Sequence, residues 1–457
     1  MRTRRNMNMG ARLSQFAVLA LACALIHAPQ ALAKRKPRHG DARNSSNHLT
    51  ADKSGQFATS KGLRLHLVAD EGDVRITTQN SPTVNYRVHL EVNSNGSNAR
   101  RILDGFTLVT RNGPDGVLLL ARTPHHNWGQ RLSVTFEVSV PRNYNLDIST
   151  QGGNVQTGDI QGRVAIATNG GNISTGQIDG PARLVTDGGH IFVKGVGNDL
   201  VAMTGGGNIT VGPVAGTALL RTGGGHIRVD SIGGVGKLET GGGNISLEHS
   251  GSGLIASSGG GQIDVGEATG LIRARTGGGG IRIVHASGPT ELETSAGNVY
   301  LMQVENSVRA STGSGGITAW FGPGAKLTSP CRLAAGEGDI VVYLPKLLPV
   351  TVDAQVELGG DHRVIVDPAF PLKVTYGEPD QGSQAVRAEG ELNGGGAPLV
   401  LRTVSGNIRL VLNDANQEKR QMDLLKLQMN KLRRQLEMNL SNMKLPPLPP
   451  LPPPPHE

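Results

Sequence analysis

The polar and apolar positions of this chain repeat with a fixed period of 18 residues between Thr150 and Ile317. Each period opens on a short phrase, usually Thr, a glycine-rich step, a small polar residue and then Ile or Val. The phrase begins ten times, at Thr150, Thr168, Thr186, Thr204, Thr222, Thr240, Ser258, Thr276, Thr294 and Thr312. A fixed repeat of this length is typical of proteins in which similar structural units stack on one another.

Within one period the apolar residues form two short alternating runs, such as Ile209 and Val211 followed by Ala218 and Leu220. Alternation predicts strands rather than a helix, and the intervening glycines predict turns. One period is too short to bury its own apolar face, so each coil must pair with the next in a parallel sheet. The predicted fold is all-β: a parallel β-helix (β-solenoid) of about ten coils and roughly 45 Å in length. Glycine suits the corners because each needs a positive φ or a tight backbone.

The hand of the coil follows less directly from the pattern. Eighteen residues equal three hexapeptides, which suits a left-handed triangular coil, but the strict hexapeptide signature is absent. Because crossovers between parallel strands are generally right-handed, we favour a right-handed coil.

Changes in composition divide the chain into seven parts. Strand-like runs of irregular spacing flank the regular repeats and predict caps, since an exposed strand ladder would pair with other chains. The parts are a signal peptide (1–33), a basic disordered linker (34–60), an N-terminal β cap (61–149), the regular 18-residue β-solenoid repeats (150–322), an irregular C-terminal β segment (323–412), an amphipathic helix (417–444) and a proline-rich tail (445–457).

The predicted helix carries apolar residues three and four positions apart, at Met422, Leu425, Met429, Leu432 and Leu436. This spacing gives one apolar stripe with a short heptad seam. Two partners for the stripe are open. The helix could pack on the solenoid as a C-terminal cap, or residues 417–440 could self-associate as a coiled coil. The proline tail predicts polyproline II.

The first 33 residues have four arginines, an apolar run over 16–26 and a small-residue end at Ala33. These features predict a secretory signal peptide cleaved after Ala33. The mature protein would then be extracytoplasmic: secreted, at the cell surface or in the periplasm. Lipidation at Cys23 is the alternative, although Ala20 is a poor start for a lipobox. Cleavage at Ala33 leaves only Cys331, so the mature chain can form no internal disulfide.

The net charge of +8 lies at the ends of the chain. Residues 1–33, 34–43 and 417–444 each carry +4 and Glu457 carries −1, which leaves −3 for residues 44–416. The solenoid is therefore not a basic surface, and we expect no nucleic-acid partner. With 65 glycines and few aromatic residues, the chain predicts thin core layers of small aliphatic side chains.

Two columns of polar side chains follow from the period. The threonines of the phrase predict a stacked hydroxyl ladder. His190 and His226 occupy an offset that is elsewhere Asn, as at Asn208, which predicts a polar ladder. The two histidines are two coils apart, or about 10 Å, too far to share one metal ion. The Gly-Gly-Gly steps lack a following Lys-Ser or Lys-Thr, so they predict coil corners rather than a nucleotide site.

Charged residues alternate in sign down the presumed outer face. Three sets share an offset: Arg273 with Glu291 and Arg309, Arg275 with Glu293, and Arg221 with Glu239. Coil stacking would pair these opposite charges directly, which stabilises the sheet by ~0.2–1 kcal/mol each and helps to set its register.

A polysaccharide lyase or hydrolase is the enzymatic alternative, because long β-helices can present the clustered carboxylates that such chemistry needs. The acids here form no column and fall at different offsets or in isolated coils, at Asp159, Asp179, Asp187, Asp230 and Asp264. We therefore predict no catalytic, cofactor-binding or metal-binding residue, and no cofactor. His125 and His126 beside Trp128 predict an exposed loop of the N-terminal cap rather than a binding site.

The Thr-x-Gly-Gly-Asn-Ile phrases, with lead-ins from Val140 to Thr150 and from Tyr343 to Lys346, resemble a known family. It comprises bacterial adhesin-type proteins with β-strand repeats, β-solenoids related to the head domains of auto-transporter adhesins. The resemblance covers about residues 60–412. It implies an exported, non-catalytic β-solenoid with an adhesive role, and it brings no active site. The helix and the proline tail depart from it.

The predicted function is that of an exported, non-catalytic, adhesin-like protein. It would bind a cell-surface, matrix or envelope polymer, or another protein, through the face of the rod. The alternative is a self-assembling envelope scaffold similar to bactofilins, and a polysaccharide enzyme is the third possibility. Binding of sugars by stacking is disfavoured, because Trp320–Phe321 is the one adjacent aromatic pair in the repeats.

Overall fold

The structure is a computed structural model of the chain. It describes residues 48–93, 97–124, 132–358, 361–377 and 385–413, together with the separate positions 420, 423, 427, 431 and 434. The chain forms two units, Met1–Ser46 and Asn47–Glu457, and every described residue belongs to the second. The predicted signal peptide, the alternative at Cys23, the His125-His126-Trp128 loop and the proline tail lie outside the described residues and stay predictions.

The described chain is almost entirely strand. Its elements are β1 (Leu49–Ala58), β2 (Arg64–Ala69), β3 (Asp73–Gln79), β4 (Thr83–Val92), α1 (Ser97–Gly105), β5 (Thr107–Gly113), β6 (Gly116–Arg122), β7 (Leu132–Pro141), β8 (Asn145–Thr150), β9 (Val155–Thr157), β10 (Val164–Thr168), β11 (Ile173–Ile178), β12 (Ala182–Thr186), β13 (Ile191–Val196), β14 (Leu200–Thr204), β15 (Ile209–Val214), β16 (Ala218–Thr222), β17 (Ile227–Ile232), β18 (Gly236–Thr240), β19 (Ile245–Ser250), β20 (Gly253–Ser258), β21 (Ile263–Ala268), β22 (Leu271–Thr276), β23 (Ile281–Ala286), β24 (Thr290–Thr294), β25 (Val299–Val304), β26 (Val308–Ser314), β27 (Ile317–Phe321), β28 (Cys331–Glu337), β29 (Ile340–Leu344), β30 (Val350–Val356), β31 (Val364–Val366), β32 (Lys373–Tyr376), β33 (Val386–Leu392), β34 (Pro398–Ser405) and β35 (Ile408–Leu412).

From β8 onward the strands alternate between two parallel sheets. Sheet A contains the odd-numbered strands β9 to β29, and sheet B contains the even-numbered strands β8 to β28. Residues of the regular coils pair with those 18 positions later, as Ile191 does with Ile209 and Leu200 with Ala218. The predicted parallel β-solenoid is therefore confirmed. Each coil has two strands, so its cross-section is two-sided rather than triangular.

The core lies between the two sheets. Alternate side chains point inward, and Ile209, Val211 and Leu220 are each at most 1% exposed. Burying one such side chain fully is worth about 1.5–3 kcal/mol. Because every coil places an aliphatic residue at the same offset, the inner face is continuous along the rod, and each coil is stabilised mainly by its two neighbours.

The glycines of the phrase are explained by close stacking. A Cβ on Gly225 would lie within 3.0 Å of the carbonyl oxygen of Gly207 in the preceding coil, whereas one on Gly224 would meet no atom within 4 Å. Positive φ is not the general reason, because between residues 168 and 312 only Gly253 and Gly270 are glycines that adopt it. Of the two reasons given for glycine at the corners, the tight backbone is therefore the one that applies to most coils.

The N-terminal end is built out of sequence order. The coil of β2 and β3 lies between the coil of β8 and β9 and an outer coil of β6 and β7. Antiparallel strands close the ladder, with β4 and then β1 beyond β7, and β5 beyond β6. Helix α1 contacts β1 and β4 and buries Ala99, Ile102 and Leu103. The disordered linker predicted over 34–60 is wrong for Leu49–Ala58, which forms β1.

The C-terminal end repeats this arrangement. The coil of β34 and β35 lies between the coil of β28 and β29 and an outer coil of β30 and β31, and β33 and β32 follow antiparallel. Asp353 of β30 is bonded to Arg387, with Nε 3.0 Å from Oδ1, and to Arg402. Burial raises the pKa of Asp353, but the hydrogen bonds from Arg402 and Arg387 outweigh it and leave the pKa below its usual value.

Beyond β35, positions 420, 423, 427, 431 and 434 are helical and exposed. They lie within the predicted helix 417–444, whose other residues are outside the described set. Among the described residues, no helix is both long enough and apolar enough to cross a membrane.

Candidate binding face

The buried threonine column holds the coil corners together. Thr222 is 2% exposed. Its hydroxyl donates to the carbonyl oxygen of Gly207 at 2.7 Å and accepts from the amide of Gly225 at 3.2 Å. The same pair of bonds occurs at Thr168, Thr186, Thr204, Thr240, Ser258, Thr276 and Thr294. The hydroxyls therefore bond the backbone rather than one another, and the predicted hydroxyl ladder is corrected in that respect.

The asparagine and histidine column is a ladder of side chain to backbone bonds. Asn208 Oδ1 accepts from the amide of His226 at 2.8 Å, and His226 Nδ1 accepts from the amide of Asn244 at 2.9 Å. His190 Nδ1 accepts from the amide of Asn208 in the same way. The predicted polar ladder is confirmed. Both ring nitrogens that face the column are occupied as acceptors, and the described residues contain no group of three or more metal-ligating side chains placed around one point.

The outer face of sheet B carries stacked ion pairs. Arg273 Nε lies 2.8 Å from Glu291 Oε2, Arg275 Nε lies 3.1 Å from Glu293 Oε2, and Arg221 pairs with Glu239 at 3.8 Å. The predicted charge stacking is confirmed for these three pairs, whereas Arg309, in register with Glu291 on its other side, forms no ion pair with it. The hydrogen bond from Arg273 holds the pKa of Glu291 below its usual value, although desolvation opposes it slightly.

The alternation of charge fails one coil further along. Arg309 of β26 pairs in register with Arg332 of β28, so two cations stack where an arginine and a glutamate would be expected. Within the described chain, neither guanidinium has a carboxylate oxygen within 4.0 Å. We call these residues the arginine pair.

The arginine pair borders a shallow cavity of about 300 Å³ on the outer face of sheet B. Its walls are Arg275, Glu291, Leu292, Glu293, Arg309, Ala310, Ser311, Arg332 and Ala334. Three arginines against two glutamates leave a local excess of positive charge, which favours an anionic ligand. Arg332 is not recognisable from the repeat pattern, because five extra residues before β28 move it off the 18-residue offset.

Sheet A contains the acid with the most unusual surroundings. Burial raises the pKa of Asp264, and the Arg282 guanidinium 3.4 Å away and a hydrogen bond from Gln262 offset this only in part. The neighbours of Asp264 in its column are Ser246 and Arg282. Hydrolysis of a glycosidic bond usually requires two carboxyl groups placed together. Asp264 has no second carboxylate beside it in the column.

The other acids considered for catalysis bond the backbone at a coil corner or lie away from one another. Asp159 Oδ1 accepts from the amide of Gln177 at 2.8 Å. A second depression, of about 490 Å³, follows one corner of the coils, and Glu267 is the one acid that lines it. Glu267 is paired with His249 at 3.5 Å. Neither the corner at Asp159 nor this depression brings two carboxyl groups together among the described residues.

The aromatic pair Trp320–Phe321 is divided between two environments. Phe321 is in the core and fully buried. Trp320 points to the outside of sheet A and stacks on Tyr343, with ring centroids 4.4 Å apart and planes 5° apart. The rings therefore face the outside of sheet A, on the opposite side of the coil from the arginine pair.

Cys331, the one cysteine of the predicted mature chain, is buried at the start of β28. Burial raises the pKa of its thiol, and a hydrogen bond from the amide of Val308 at 3.4 Å opposes this weakly. A buried thiol held in its protonated form is a poor nucleophile, so Cys331 is part of the core rather than of a site.

Comparison with known proteins identifies no family for this chain. No protein-family profile matches the chain, and no curated protein matches it. Four solved chains match, among them a crystal structure from Clostridium sporogenes ATCC 15579 described as a "putative cell adhesion protein". It is 10% identical, covers 80% of this chain and all of its own length, and superposes with a TM-score of 0.18. That score carries no functional argument, so what the chain is shown to be is a capped, two-sided parallel β-solenoid.

Proposed function

We propose that this is an exported, non-catalytic β-solenoid that binds an acidic polymer of the cell surface, matrix or envelope through the outer face of sheet B. The observation that carries the proposal is the arginine pair at the edge of an open cavity: two cations stacked in register, neither of which forms an ion pair within 4.0 Å among the described residues, although Glu291 lies in register with Arg309 on its other side. A structural ladder gains nothing from like charges placed side by side, because they repel each other. An anionic ligand would remove that repulsion.

The chemistry of the face suits an acidic polysaccharide. Successive coils place their side chains about 4.8 Å apart along the rod, so a polymer lying along the axis would meet one column residue per coil. Each guanidinium can donate two parallel hydrogen bonds to a carboxylate. No aromatic side chain lines the cavity, so charge rather than ring stacking would provide the affinity.

The binding test uses polygalacturonate as a polyanionic probe and neutral dextran as its control. Arg309→Gln and Arg332→Gln should each weaken binding of the mature chain about 10-fold, since a hydrogen bond to a charged group is worth about 1.5–3 kcal/mol. Arg183→Gln is the matched control, because Arg183 occupies the same column but lies between Ala165 and Val201. Equal affinity in all three variants would refute the proposed site.

The same incubation tests the enzymatic alternative. A lyase or hydrolase would shorten polygalacturonate, with or without calcium, and size-exclusion analysis of the polymer would detect this. We expect the polymer length to stay unchanged, because the two glutamates of the cavity, Glu291 and Glu293, are each held in an ion pair with an arginine of the preceding coil. Cleavage that is lost in Asp264→Asn would replace the proposal with a catalytic one.

A self-assembling scaffold is the alternative function that is neither polymer binding nor catalysis. Both ends of the described solenoid finish in antiparallel strands rather than in a regular coil. Such ends do not present the parallel ladder that end-to-end growth of a solenoid would extend. We therefore expect the mature chain to form no filaments in electron micrographs, and filaments at physiological salt would favour the scaffold.

The export on which the proposal depends has its own test. Protease treatment of intact cells should remove the solenoid, as detected by immunoblotting, while a periplasmic control protein survives. Full protection of both proteins would place the solenoid inside the envelope and restrict the ligand to an envelope polymer.

A further inference from the structure

Three apolar side chains on the outside of sheet A are buried although they do not belong to the core. Val284 and Met302 are each 3% exposed and Trp320 is 7% exposed. Their inward-facing neighbours form the core between the sheets, but these three residues lie outside it. They are the only buried apolar side chains in the described chain with that property.

These residues form one strip along the rod. Val284, Met302 and Trp320 lie on adjacent strands, and the strip continues through Tyr343 to Val411, since Trp320 pairs with Tyr343 and Tyr343 with Val411. Five strands at the usual spacing make the strip about 19 Å long. We call it the outer apolar strip. Trp320 Nε1 lies in it buried and without a hydrogen-bond partner.

The strip is confined to the C-terminal coils. At the same offset, earlier coils carry glycine or charge, at Gly266, Glu248 and Asp230. A surface that changes from apolar to acidic along the rod is unlike the regular core columns, which repeat without change. It would suit a segment that is apolar on one face and basic overall.

The chain leaves sheet A at the end of the strip. Strand β35 ends at Leu412, one residue after Val411, and the predicted helix begins a few residues later. The five described helical positions, 420, 423, 427, 431 and 434, all lie on one side of a helix that turns 100° per residue, and all are exposed. Leu427, the leucine among them, is 68% exposed.

In a continuous helix, the apolar residues of 417–440 would lie on the opposite side. With 3.6 residues per turn, Met422, Leu425, Met429, Leu432 and Leu436 would be centred about 180° from the exposed positions. Residues 417–440 would be about 36 Å long as a helix. This length would cover the outer apolar strip and reach as far as Asp230 and Glu248, the second of which already pairs with Arg228 at 3.7 Å, while residues 417–444 carry a net charge of +4.

We propose that the C-terminal helix folds back along the outside of sheet A and covers the outer apolar strip with its Met422–Leu436 face. The helix is then neither an end cap nor a coiled coil, because a single apolar face cannot serve two partners. The outer face of sheet B is left open. The proposal is independent of what binds there.

The fluorescence of Trp320 would show directly whether the helix covers the outer apolar strip. The test uses the full mature chain with Trp128→Phe, so that Trp320 is the one tryptophan. We expect blue-shifted emission and weak quenching by acrylamide. Leu425→Asp combined with Leu432→Asp should release the helix, shift the emission to the red and raise the quenching constant several-fold. Leu427→Asp is the matched control on the exposed face and should change neither.

Far-ultraviolet circular dichroism would verify that the solenoid stays folded in each variant, and sedimentation would give the mass. Protection of Trp320 that is independent of concentration in a monomer supports the proposal. Quenching in the double variant equal to that of the parent would overturn it. So would protection that disappears on dilution together with a dimer, because the helix of a second copy would then be the occupant.

Discussion

The corner hydroxyl is the interaction whose removal tests the stacking most cleanly. Thr222→Val keeps the shape of the side chain but removes the donor to Gly207 and the acceptor for Gly225. Both backbone groups belong to buried glycines. A water molecule would have to enter this buried corner in order to replace the hydroxyl. The substitution therefore leaves two buried polar groups unpaired.

The expected loss follows from these two groups. An unpaired buried backbone group costs about 1–3 kcal/mol, so with two such groups Thr222→Val should lower the free energy of unfolding by about 2–6 kcal/mol. Thr222→Ser keeps both bonds and loses only a methyl group, at a cost of about 0.5–1.5 kcal/mol. Ser258 already shows that serine makes both bonds, at 2.8 and 2.9 Å.

Urea unfolding of the two variants provides the measurement. The comparison should use the midpoint and the slope together, because a solenoid with separable coils need not unfold in one step. Native-state hydrogen exchange would place the loss in the coils next to residue 222. If the valine variant were as stable as the serine variant, the hydroxyls would not hold the corners, and the reasoning would be wrong.

Three further predictions concern other parts of the rod. Gly225→Ala should lower the thermal midpoint clearly while Gly224→Ala leaves it nearly unchanged, because only the first Cβ meets backbone; similar melting curves would contradict the close stacking. Glu291→Lys should lower the melting temperature and Arg273→Glu should partly restore it, by ~0.2–1 kcal/mol for each pair; absence of rescue would contradict the pairing. Because its pKa is lowered by folding, Asp353 stabilises the folded chain above its unfolded pKa of about 4, and this contribution is lost as the pH falls through the lower folded value. Asp353→Asn should therefore flatten the acid side of the stability profile, and an unchanged slope would contradict the assignment.

The regular part of the fold is predictable because stacking is local. A residue of one coil pairs with the residue at the same offset in the next, so a fixed period in sequence becomes a fixed register in space. The ion pair between Arg273 and Glu291 follows from that arithmetic alone. The number of sheets is less certain from sequence, since 18 residues are compatible with two or three strands per coil.

The caps could not be ordered from the sequence. The phrase recurs once outside the regular repeats, as Thr403-Val-Ser-Gly-Asn-Ile408. It indicates a coil, but this coil stacks on β28 and β29, which lie more than 60 residues earlier. The intervening strands are placed further out, and no local pattern records that choice. Strand β1 is missed for another reason: as the outermost strand it is only half-buried, so its composition resembles that of a linker.

The candidate site, like the fold, could be predicted from the sequence only in its regular part. The columns of opposite charge on sheet B are visible in the sequence, and the arginine pair is not, because the insertion before β28 breaks the period between Arg309 and Arg332. The outer apolar strip is hidden for a related reason. Val284 and Met302 look like ordinary strand residues until the register shows which face they occupy.

Arginine footprinting would show directly whether the outer face of sheet B binds an acidic polymer. The mature protein would be modified with phenylglyoxal with and without polygalacturonate, and each arginine measured by mass spectrometry. We expect the polymer to protect Arg309 and Arg332, while Arg183 reacts equally in both samples. Equal protection of all three, or protection of none, would contradict it.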